Sequence, residues 1–337
     1  VGMIGSGFKG ATKGDATQLF EFATNPFMGL VVGILATSLI QSSSTVTSII
    51  VGLVAGGLSV EMAVPMVMGA NIGTTITNTI VALGHIHRKK AFRRAFAAAT
   101  VHDIFNLIAV IIFMTLELAT GILHKIGAFV ASFLVGGADV SVKGFNFIKP
   151  ITKPVIGLVK DFSEMIYAPW ANALLILFGV AIIFFSIMFV GKLLKKLMVG
   201  RAKRVMHGAI GRGPVAGITS GAIVTVLVQS SSTTTSLMVP LAGAGSFRLK
   251  QIYPFTLGAN IGTCITSLLA ATAITGATAL PAMTIAMVHL TFNVLAVLVI
   301  YGIKNLRMLP LKGATSLAKL ATKNKSLALL YILGVYF

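Results

Sequence analysis

The sequence contains few charged residues and almost none that are acidic. Only 10% of its 337 residues are charged, whereas an average soluble domain has about 25%. Eight residues are Asp or Glu, 56% are hydrophobic, and the mean hydropathy is +0.94. This composition excludes an ordinary soluble domain and predicts a chain embedded in a lipid bilayer.

Cysteine is also nearly absent, since Cys264 is the only one. A single cysteine cannot form an internal bridge, which excludes a disulfide scaffold. The sequence has no Gly-x-Ser-x-Gly, no His-Glu-x-x-His and no multi-cysteine metal spacing. We therefore expect neither an enzyme nor a transition-metal site, and no cofactor.

The positive charges are clustered. Eighteen of the 27 lysines and arginines lie in three stretches that contain no acid. These are Arg88, Lys89, Lys90, Arg93 and Arg94; Lys192, Lys195, Lys196, Arg201, Lys203, Arg204 and Arg212; and Lys304, Arg307, Lys312, Lys319, Lys323 and Lys325. Short basic stretches beside apolar spans indicate cytoplasmic loops. They lack the aromatic and base-reading side chains of a nucleic-acid interface, so no nucleic-acid partner is expected.

The chain also carries an internal duplication. Residues 41–48 read QSSSTVTS and residues 229–236 read QSSSTTTS, which are identical at seven of eight positions. Residues 69–78, GANIGTTITN, match residues 258–267, GANIGTCITS, at eight of ten positions. Small residues precede each glutamine at helical spacing, and for these we favour close helix packing.

Length and charge predict how the repeats cross the membrane. The 33 residues from Gly213 to Gly245 lie between basic stretches, yet two crossings need about 40 apolar residues. A re-entrant hairpin with its tip at Gln229 resolves this conflict. The matching hairpin, Phe27 to Leu58, should enter from the other side, and such inverted repeats are characteristic of secondary transporters.

The predicted fold class is therefore an all-α polytopic membrane protein with two inverted-topology repeats, each with a re-entrant helical hairpin and a broken transmembrane helix. Repeat 1 covers 1–118, with a hairpin at about 27–58, a broken span 61–85 and a span 95–118. Residues 119–167 form the outer connection. Repeat 2 covers 168–303, with a span 168–191, a hairpin at about 213–245, a broken span 251–275 and a span 278–303. Residues 304–337 form a cytoplasmic basic tail and terminal segment. Offset matching also predicts a further span before residue 1.

The hairpin tips are suited to holding an anion. Consecutive hydroxyls, together with the free N–H groups at the start of the following half-helix, form an anion cradle without any cationic side chain. The residues predicted for this role are Ser42, Ser43, Ser44 and Thr45 in the first tip and Ser230, Ser231, Ser232 and Thr233 in the second.

The repeated motifs also offer oxygen ligands for a hard monovalent cation. A break in each GANIGT segment would release carbonyl oxygens, although close packing at the glycine is the alternative. The predicted cation ligands are Gln41, Asn71, Thr74, Gln229, Ser230, Asn260, Thr263 and Thr266. Only Asp103 and Glu117 are acids within a clear span, and we interpret His102 and His289 as structural hydrogen-bond donors. Sodium is therefore favoured over the proton as the coupling ion.

The paired QSSS and GANIGT motifs, together with Phe92-Arg93-Arg94-Ala95-Phe96 leading into Val101-His102-Asp103, closely resemble the type II sodium-dependent phosphate cotransporters. The resemblance covers residues 26 to 106 and 214 to 293. It implies sodium-coupled symport of inorganic phosphate, with phosphate between the two tips at the serines and sodium near Gln41, Gln229, Ser230, Thr263 and Thr266. Animal members carry a disulfide in the outer loop that a chain with one cysteine cannot form.

Alternative functions remain open at this point. A sodium-coupled carrier of another small anion, such as a carboxylate or sulfate, and an anion channel fit the same residues. The expected location is the plasma membrane, with a multi-pass topology and a compactness typical of a bacterial inner-membrane protein. The expected partners are phosphate, sodium and the lipid bilayer, and a homo-oligomer is compatible with the sequence.

Overall fold

A computed structural model describes residues Met3, 24–136, Pro154, 157–159, Asp161, 170–183, Phe185, Phe189, Gly208 and 210–337. Every regular element in these ranges is helical. Four helices are long and apolar enough to cross a membrane: Val60–Leu83, Lys89–Thr120, Leu249–Thr272 and Ala279–Tyr301. The chain is accordingly a multi-pass membrane protein.

In the first half of the chain, residues 24–136 form six helices. They are α1 (Pro26–Ile40), α2 (Ser43–Ala55), α3 (Val60–Gly73), α4 (Ile76–Leu83), α5 (Lys89–Thr120) and α6 (Ile122–Gly136). Helix α1 begins where the Asn25 side chain caps the N–H of Phe27 at 2.9 Å and Pro26 occupies the first turn, a combination that favours helix initiation. Helix α5 starts earlier than the predicted span, because the basic residues from Lys89 to Arg94 are themselves helical.

The second half repeats this order. Its helices are α7 (Pro214–Val228), α8 (Ser231–Ser236), α9 (Met238–Ala244), α10 (Leu249–Thr272), α11 (Ala279–Ala296), which continues into a π-helical turn at Val297–Tyr301, α12 (Lys304–Lys323) and α13 (Ser326–Tyr336). Helical structure also covers Trp170–Ile183, within the predicted span 168–191, whose remaining residues lie largely outside the described ranges.

The first arm of each hairpin packs closely against the span that follows it. A Cβ atom added at Gly33 of α1 would overlap the Met66 carbonyl oxygen of α3, and one at Gly69 would overlap the Leu30 carbonyl oxygen. In the second repeat, Gly221 meets the carbonyl oxygen of Phe255 in the same way. Helices in lipid associate through van der Waals packing at such small residues, so the glycine stripe has the packing role expected for it.

The predicted break occurs in one repeat and not in the other. Helices α3 and α4 are separated by a two-residue turn at Thr74 and Thr75, beside the Asn71-Ile72-Gly73 motif. In repeat 2 the prediction is wrong, because α10 is continuous through Asn260 and Thr263. The glycine there serves packing instead, since a Cβ at Gly262 would lie 2.6 Å from the Ala222 carbonyl oxygen of α7.

The C-terminal segment is a packed part of the bundle rather than a loose tail. Helix α12 buries Ala314, Ala318 and Ala321, and Gly313 faces Ile104 of α5. Helix α13 is 11 residues long, too short to span a bilayer, as expected. Its Tyr336 is fully buried.

The helix directions follow from contacts at the two ends of α5. At its C-terminal end, His124 Nδ1 lies 3.2 Å from Glu61 Oε1 at the start of α3. At its N-terminal end, Arg94 donates hydrogen bonds to the Gly243 carbonyl of α9 from Nε at 3.1 Å and from Nη2 at 2.7 Å. Because Leu249 follows α9 closely, α10 begins near the N-terminal end of α5, whereas α3 begins near its C-terminal end.

We expect Gly221→Ala to destabilise the protein by about 1–3 kcal/mol, because the added methyl group overpacks the α7 contact with Phe255. The midpoint of thermal unfolding in detergent measures this effect. Gly334→Ala is the matched control in α13, where a Cβ meets nothing within 4 Å, and it should leave the midpoint unchanged or raise it slightly. Equal midpoints for the two variants would contradict the packing role.

Candidate functional site

The two hairpin tips share an unusual backbone geometry. Gln41 and Gln229 have φ angles of 56° and 57°, and within the described ranges they are the only residues other than glycine with positive φ. Each glutamine ends its helix, with its N–H bonded at 2.7 Å to Thr37 or Thr225. A left-handed conformation costs such a residue about 1–2 kcal/mol, and strain of this kind concentrates at functional sites.

A serine starts the second arm of each hairpin. Ser42 Oγ accepts a hydrogen bond from the Thr45 N–H at 3.3 Å and lies 2.8 Å from Thr45 Oγ1. Ser230 Oγ accepts from the Thr233 N–H at 3.1 Å and donates to Thr233 Oγ1 at 3.0 Å. These caps use one of the free N–H groups at each helix start, so the other N–H groups of the first turn are left to bind a ligand.

The predicted anion-binding residues differ in exposure. Those that line the inner side of each tip are buried, and those that start the arm are partly exposed. The buried group is Ser43, Ser44, Thr45, Ser231 and Ser232; the partly exposed group is Ser42, Ser230 and Thr233. No charged residue occurs between 41 and 45 or between 229 and 233. Neutral donors alone are available at the tips.

Each tip rests on the GANIGT motif of its own repeat. A Cβ added at Gly73 would lie 2.7 Å from Thr37 Cβ, and one at Gly262 would lie 2.8 Å from Thr225 Cβ. The hydroxyls of Thr37 and Thr225 are buried and have no hydrogen-bond partner within the described part of the chain. A duplicated unpaired hydroxyl beside a strained glutamine requires an explanation. These threonines are among the small residues preceding each glutamine, for which the sequence favours close packing.

The glutamine side chains differ between the repeats. Gln229 Nε2 donates to the Val226 carbonyl at 2.8 Å, and its Oε1 accepts from Thr266 Oγ1 at 3.2 Å. Gln41 is exposed. The Thr77 hydroxyl, which is equivalent to that of Thr266, is buried and has no partner in the described ranges. The amide and hydroxyl oxygens are therefore brought together in the second repeat and separated in the first.

Buried amides connect the two repeats. His289 Nε2 lies 3.2 Å from Asn71 Oδ1, and Asn71 Nδ2 donates to Asn293 Oδ1 at 2.8 Å. Because the Asn71 nitrogen faces Asn293, its oxygen faces the imidazole, so His289 Nε2 carries the proton. His289 thus lies where it can act as the hydrogen-bond donor expected from the sequence, and its structural role stays a prediction.

The same arrangement occurs with the repeats exchanged. His102 Nε2 lies 2.7 Å from Asn260 Oδ1, and Asn260 Nδ2 donates to Asn106 Oδ1 at 2.8 Å. In addition, Asn106 Nδ2 donates to the Asn71 carbonyl at 2.8 Å. Reciprocal contacts of this kind are what a two-fold relation produces. The oxygens of Asn71 and Asn260, two of the predicted cation ligands, are already accepting hydrogen bonds.

The helix break provides a further connection between the repeats. Ser232 Oγ donates to the Thr74 carbonyl at 3.2 Å, and Thr235 Oγ1 donates to Asn78 Oδ1 at 3.0 Å. The second tip thus contacts the broken span of repeat 1. The hydroxyls of Thr74 and Thr263 each donate at 3.0 Å to the carbonyl four residues earlier, which leaves their oxygen lone pairs as acceptors.

Another polar cluster lies beside the break and was missed by sequence analysis. Tyr331 OH of α13 donates to Asp103 Oδ2 at 3.1 Å, and Tyr336 OH lies 3.0 Å from Thr75 Oγ1. Asp103 is fully buried, and repeat 2 has Leu290 at the equivalent position. The only sequence signal was the pair of tyrosines in a terminal segment otherwise read as too short to span.

Comparison with known proteins identifies relatives. The chain matches the family described as Na+/Pi-cotransporter over residues 1–136 and 182–308. It is 35% identical over 390 residues to the rat protein named sodium-dependent phosphate transport protein 2A, covering 96% of this chain and 61% of the relative. It is 30% identical over 417 residues to the human protein named sodium-dependent phosphate transport protein 2B, covering 97% and 60%. The chain thus spans about three fifths of these relatives. No solved structure matches it.

The reciprocal network predicts energetic coupling between the repeats. We expect Asn71→Ala and His289→Ala each to cost about 1–3 kcal/mol of unfolding free energy, because each leaves a buried partner unsatisfied. The double variant should cost less than the sum, with a coupling of about 1 kcal/mol or more. Thermal or denaturant unfolding of the four proteins measures this coupling.

The matched cycle uses Asn260→Ala and His102→Ala, which should give coupling of the same sign. Asn71→Ala combined with Gly334→Ala, which touches neither side chain, should be additive. Additivity in both Asn–His cycles would contradict the proposed connection.

Proposed function

Because the chain belongs to the Na+/Pi-cotransporter family, we propose that it is a secondary active symporter that moves inorganic phosphate together with sodium ions by alternating access. The observation that carries the proposal is the duplicated tip, in which a left-handed glutamine is followed by a capping serine in each repeat. The relatives, named for sodium-dependent phosphate transport, support the choice of solute and ion.

We propose that phosphate binds between the two tips. Ser42, Ser43, Ser44 and Thr45 from the first tip and Ser230, Ser231, Ser232 and Thr233 from the second supply hydroxyls. The start of α2 supplies backbone N–H groups and the favourable end of a helix dipole. Because the tips carry no cationic side chain, neutral donors alone hold the phosphate, which allows it to be released. Sodium compensates the charge of the anion.

We propose that sodium binds next to the tips. Gln229, Ser230 and Thr266 form the better assembled site, because Gln229 Oε1 and Thr266 Oγ1 are already adjacent at 3.2 Å. Thr263 contributes oxygen in the same span. In repeat 1, Gln41 and Thr74 are the corresponding groups, and Gln41 would have to turn inward to reach the unpaired Thr77 hydroxyl.

Two threonines become additional candidates for sodium ligands, and two asparagines predicted as ligands are given a different role. Thr37 and Thr225 offer buried hydroxyls that have no hydrogen-bond partner in the described part of the chain, which suits them as oxygen ligands for sodium. Asn71 and Asn260 remain close to the proposed ion sites. Their side-chain oxygens are committed to the histidines, so we propose that they hold the two repeats together around the ions.

We propose that the repeats are inverted and that α1–α2 and α7–α9 are re-entrant hairpins meeting near mid-membrane depth. The opposite directions of α3 and α10 support inversion. The basic start of α5 and α10 at one end, and Glu61 and Glu117 at the other, fit the positive-inside bias. Polar backbone at the tips is compatible with lipid only if it faces protein or a cavity. The plasma membrane is the proposed location.

Uptake into proteoliposomes tests the function. Vesicles containing the chain and loaded without sodium should accumulate labelled phosphate above the outside concentration when sodium is added outside. Coupling to a gradient is what distinguishes a symporter from a channel. Uptake that ignores sodium would refute the proposal, and stronger competition by sulfate or a carboxylate than by unlabelled phosphate would reassign the solute.

Glycine substitution separates the chemistry of the glutamines from their backbone strain. Gln229→Gly and Gln41→Gly remove the amide but suit the left-handed conformation, so we expect unchanged or higher stability, by about 1 kcal/mol, and loss of sodium-driven transport. Unfolding midpoints and uptake rates on the same preparations measure both effects.

Thr322→Ser is a control, since it retains a hydroxyl in α12 that donates to the Ala318 carbonyl, away from the tips, and it should transport normally. Glycine variants that transport at the wild-type rate would show that the amides do not bind the coupling ion.

A further inference from the structure

A second polar site lies at the end of the bundle where α5 and α10 begin. It is a cavity of about 300 Å³, within the range of small-ligand pockets. The guanidinium-bearing residues that line it are Arg93 and Arg94 of α5 and Arg248, which precedes α10; Thr315 of α12 lies opposite. The cavity is therefore shared by both repeats and the C-terminal helix.

The positive charge in this cavity is not compensated. None of the described residues that line it is acidic. Within the described ranges, the side chains of Arg93 and Arg248 take part in no ion pair, and the one ion pair found there joins His124 to Glu61 at the far end. A single exposed arginine is solvated and needs no partner. Three arginines that line one cavity repel each other, which makes the cavity electrostatically unfavourable without an anion.

The helix starts add to this imbalance. Lys89, Lys90, Arg93 and Arg94 lie in the first two turns of α5, and Lys250 lies in the first turn of α10. Neither first turn contains an acidic residue. The positive end of a helix dipole favours negative charge, and Lys90 and Arg94 are a like-charge pair at i and i+4 spacing, which is unfavourable. An anion would relieve all of these interactions.

The Arg94 side chain is held against α9, and this contact keeps the other two arginines at the cavity. Arg94 donates through both Nε and Nη2 to the Gly243 carbonyl, and a Cβ at Gly245 would lie 3.1 Å from its Nη1. This contact holds the start of α5 against the end of α9, so Arg93 and Arg248 stay on the same cavity. The arrangement is thus organised before any ligand binds.

We propose that this cavity binds a phosphate-bearing anion through Arg93 and Arg248, separately from the site between the hairpin tips. Guanidinium groups match phosphate oxygens in geometry and charge. The source is either free inorganic phosphate or the headgroup of an anionic phospholipid, because basic pockets between transmembrane helices on the cytoplasmic side bind such headgroups. The shared chemistry is a phosphate group against unpaired guanidinium groups.

The experiment has two arms and uses the full chain in nanodiscs without sodium, so that it does not depend on transport. In the lipid arm, nanodiscs of phosphatidylcholine mixed with phosphatidylglycerol are examined by native mass spectrometry for retained phosphatidylglycerol. In the phosphate arm, nanodiscs of phosphatidylcholine alone are titrated with labelled inorganic phosphate. Wild type is compared with Arg93→Gln, Arg248→Gln and the double variant, and Lys323→Gln is the control for loss of one exposed charge.

We expect each substitution to weaken binding about fivefold, and the double variant on the order of 25-fold, in the arm that contains the true source, and added salt should weaken wild-type binding. Loss in the lipid arm identifies a headgroup; loss in the phosphate arm identifies the free anion. Equal binding by wild type and the double variant in both arms would overturn the proposal, as would an equal loss in Lys323→Gln. None of these outcomes bears on sodium-coupled uptake, which is tested independently.

Discussion

The rest of the structure depends on the contact between the first arm of each hairpin and the span that follows it. Gly33 and Gly69 in one repeat, and Gly221 in the other, let helix backbones touch where any side chain would collide. In lipid there is little hydrophobic drive to hold helices together, so this packing supplies much of the association. It also fixes the position of each tip along the neighbouring span, because Thr37 and Thr225 contact the glycines of the GANIGT segments.

The second constraint is the satisfaction of buried polar groups. The amides and imidazoles of the central network would be costly in an apolar interior if they were unpaired, and the reciprocal pairing satisfies most of them. Because their side-chain atoms are already hydrogen-bonded, Asn71 and Asn260 are better suited to joining the two repeats than to binding ions that must be released. Groups without a hydrogen-bond partner among the described residues, such as the Thr37, Thr77 and Thr225 hydroxyls, remain the candidates for binding a ligand. The paired polar groups thus stabilise the scaffold, and the unpaired ones are the candidates for the binding site.

Much of this could be predicted from the sequence. Low charge, high hydropathy and clustered basic residues predict a membrane chain, and the family expected from the QSSS and GANIGT motifs is confirmed. The glutamine and serine of each tip could be identified because the duplication singles them out from ordinary packing residues. The Asp103 cluster could not be predicted, because its partners Tyr331 and Tyr336 lie more than 220 residues away in the chain and no repeat marks them.

The sequence by itself determined which residues occupy the two tips and which glycines lie against them. The motifs that contain these residues are short and local, and each occurs twice in the chain. The tertiary structure alone decided where a span breaks. Nearly the same motif is interrupted at Thr74 and Thr75 yet continuous at Thr263 and Cys264. In the first repeat the Thr75 hydroxyl bonds to the Ile72 carbonyl and contacts Tyr336, while Ser232 takes the Thr74 carbonyl. In the second repeat, Cys264 stands where the first has Thr75, and its thiol is a weaker donor to the backbone, so it competes less with the helical hydrogen bonds.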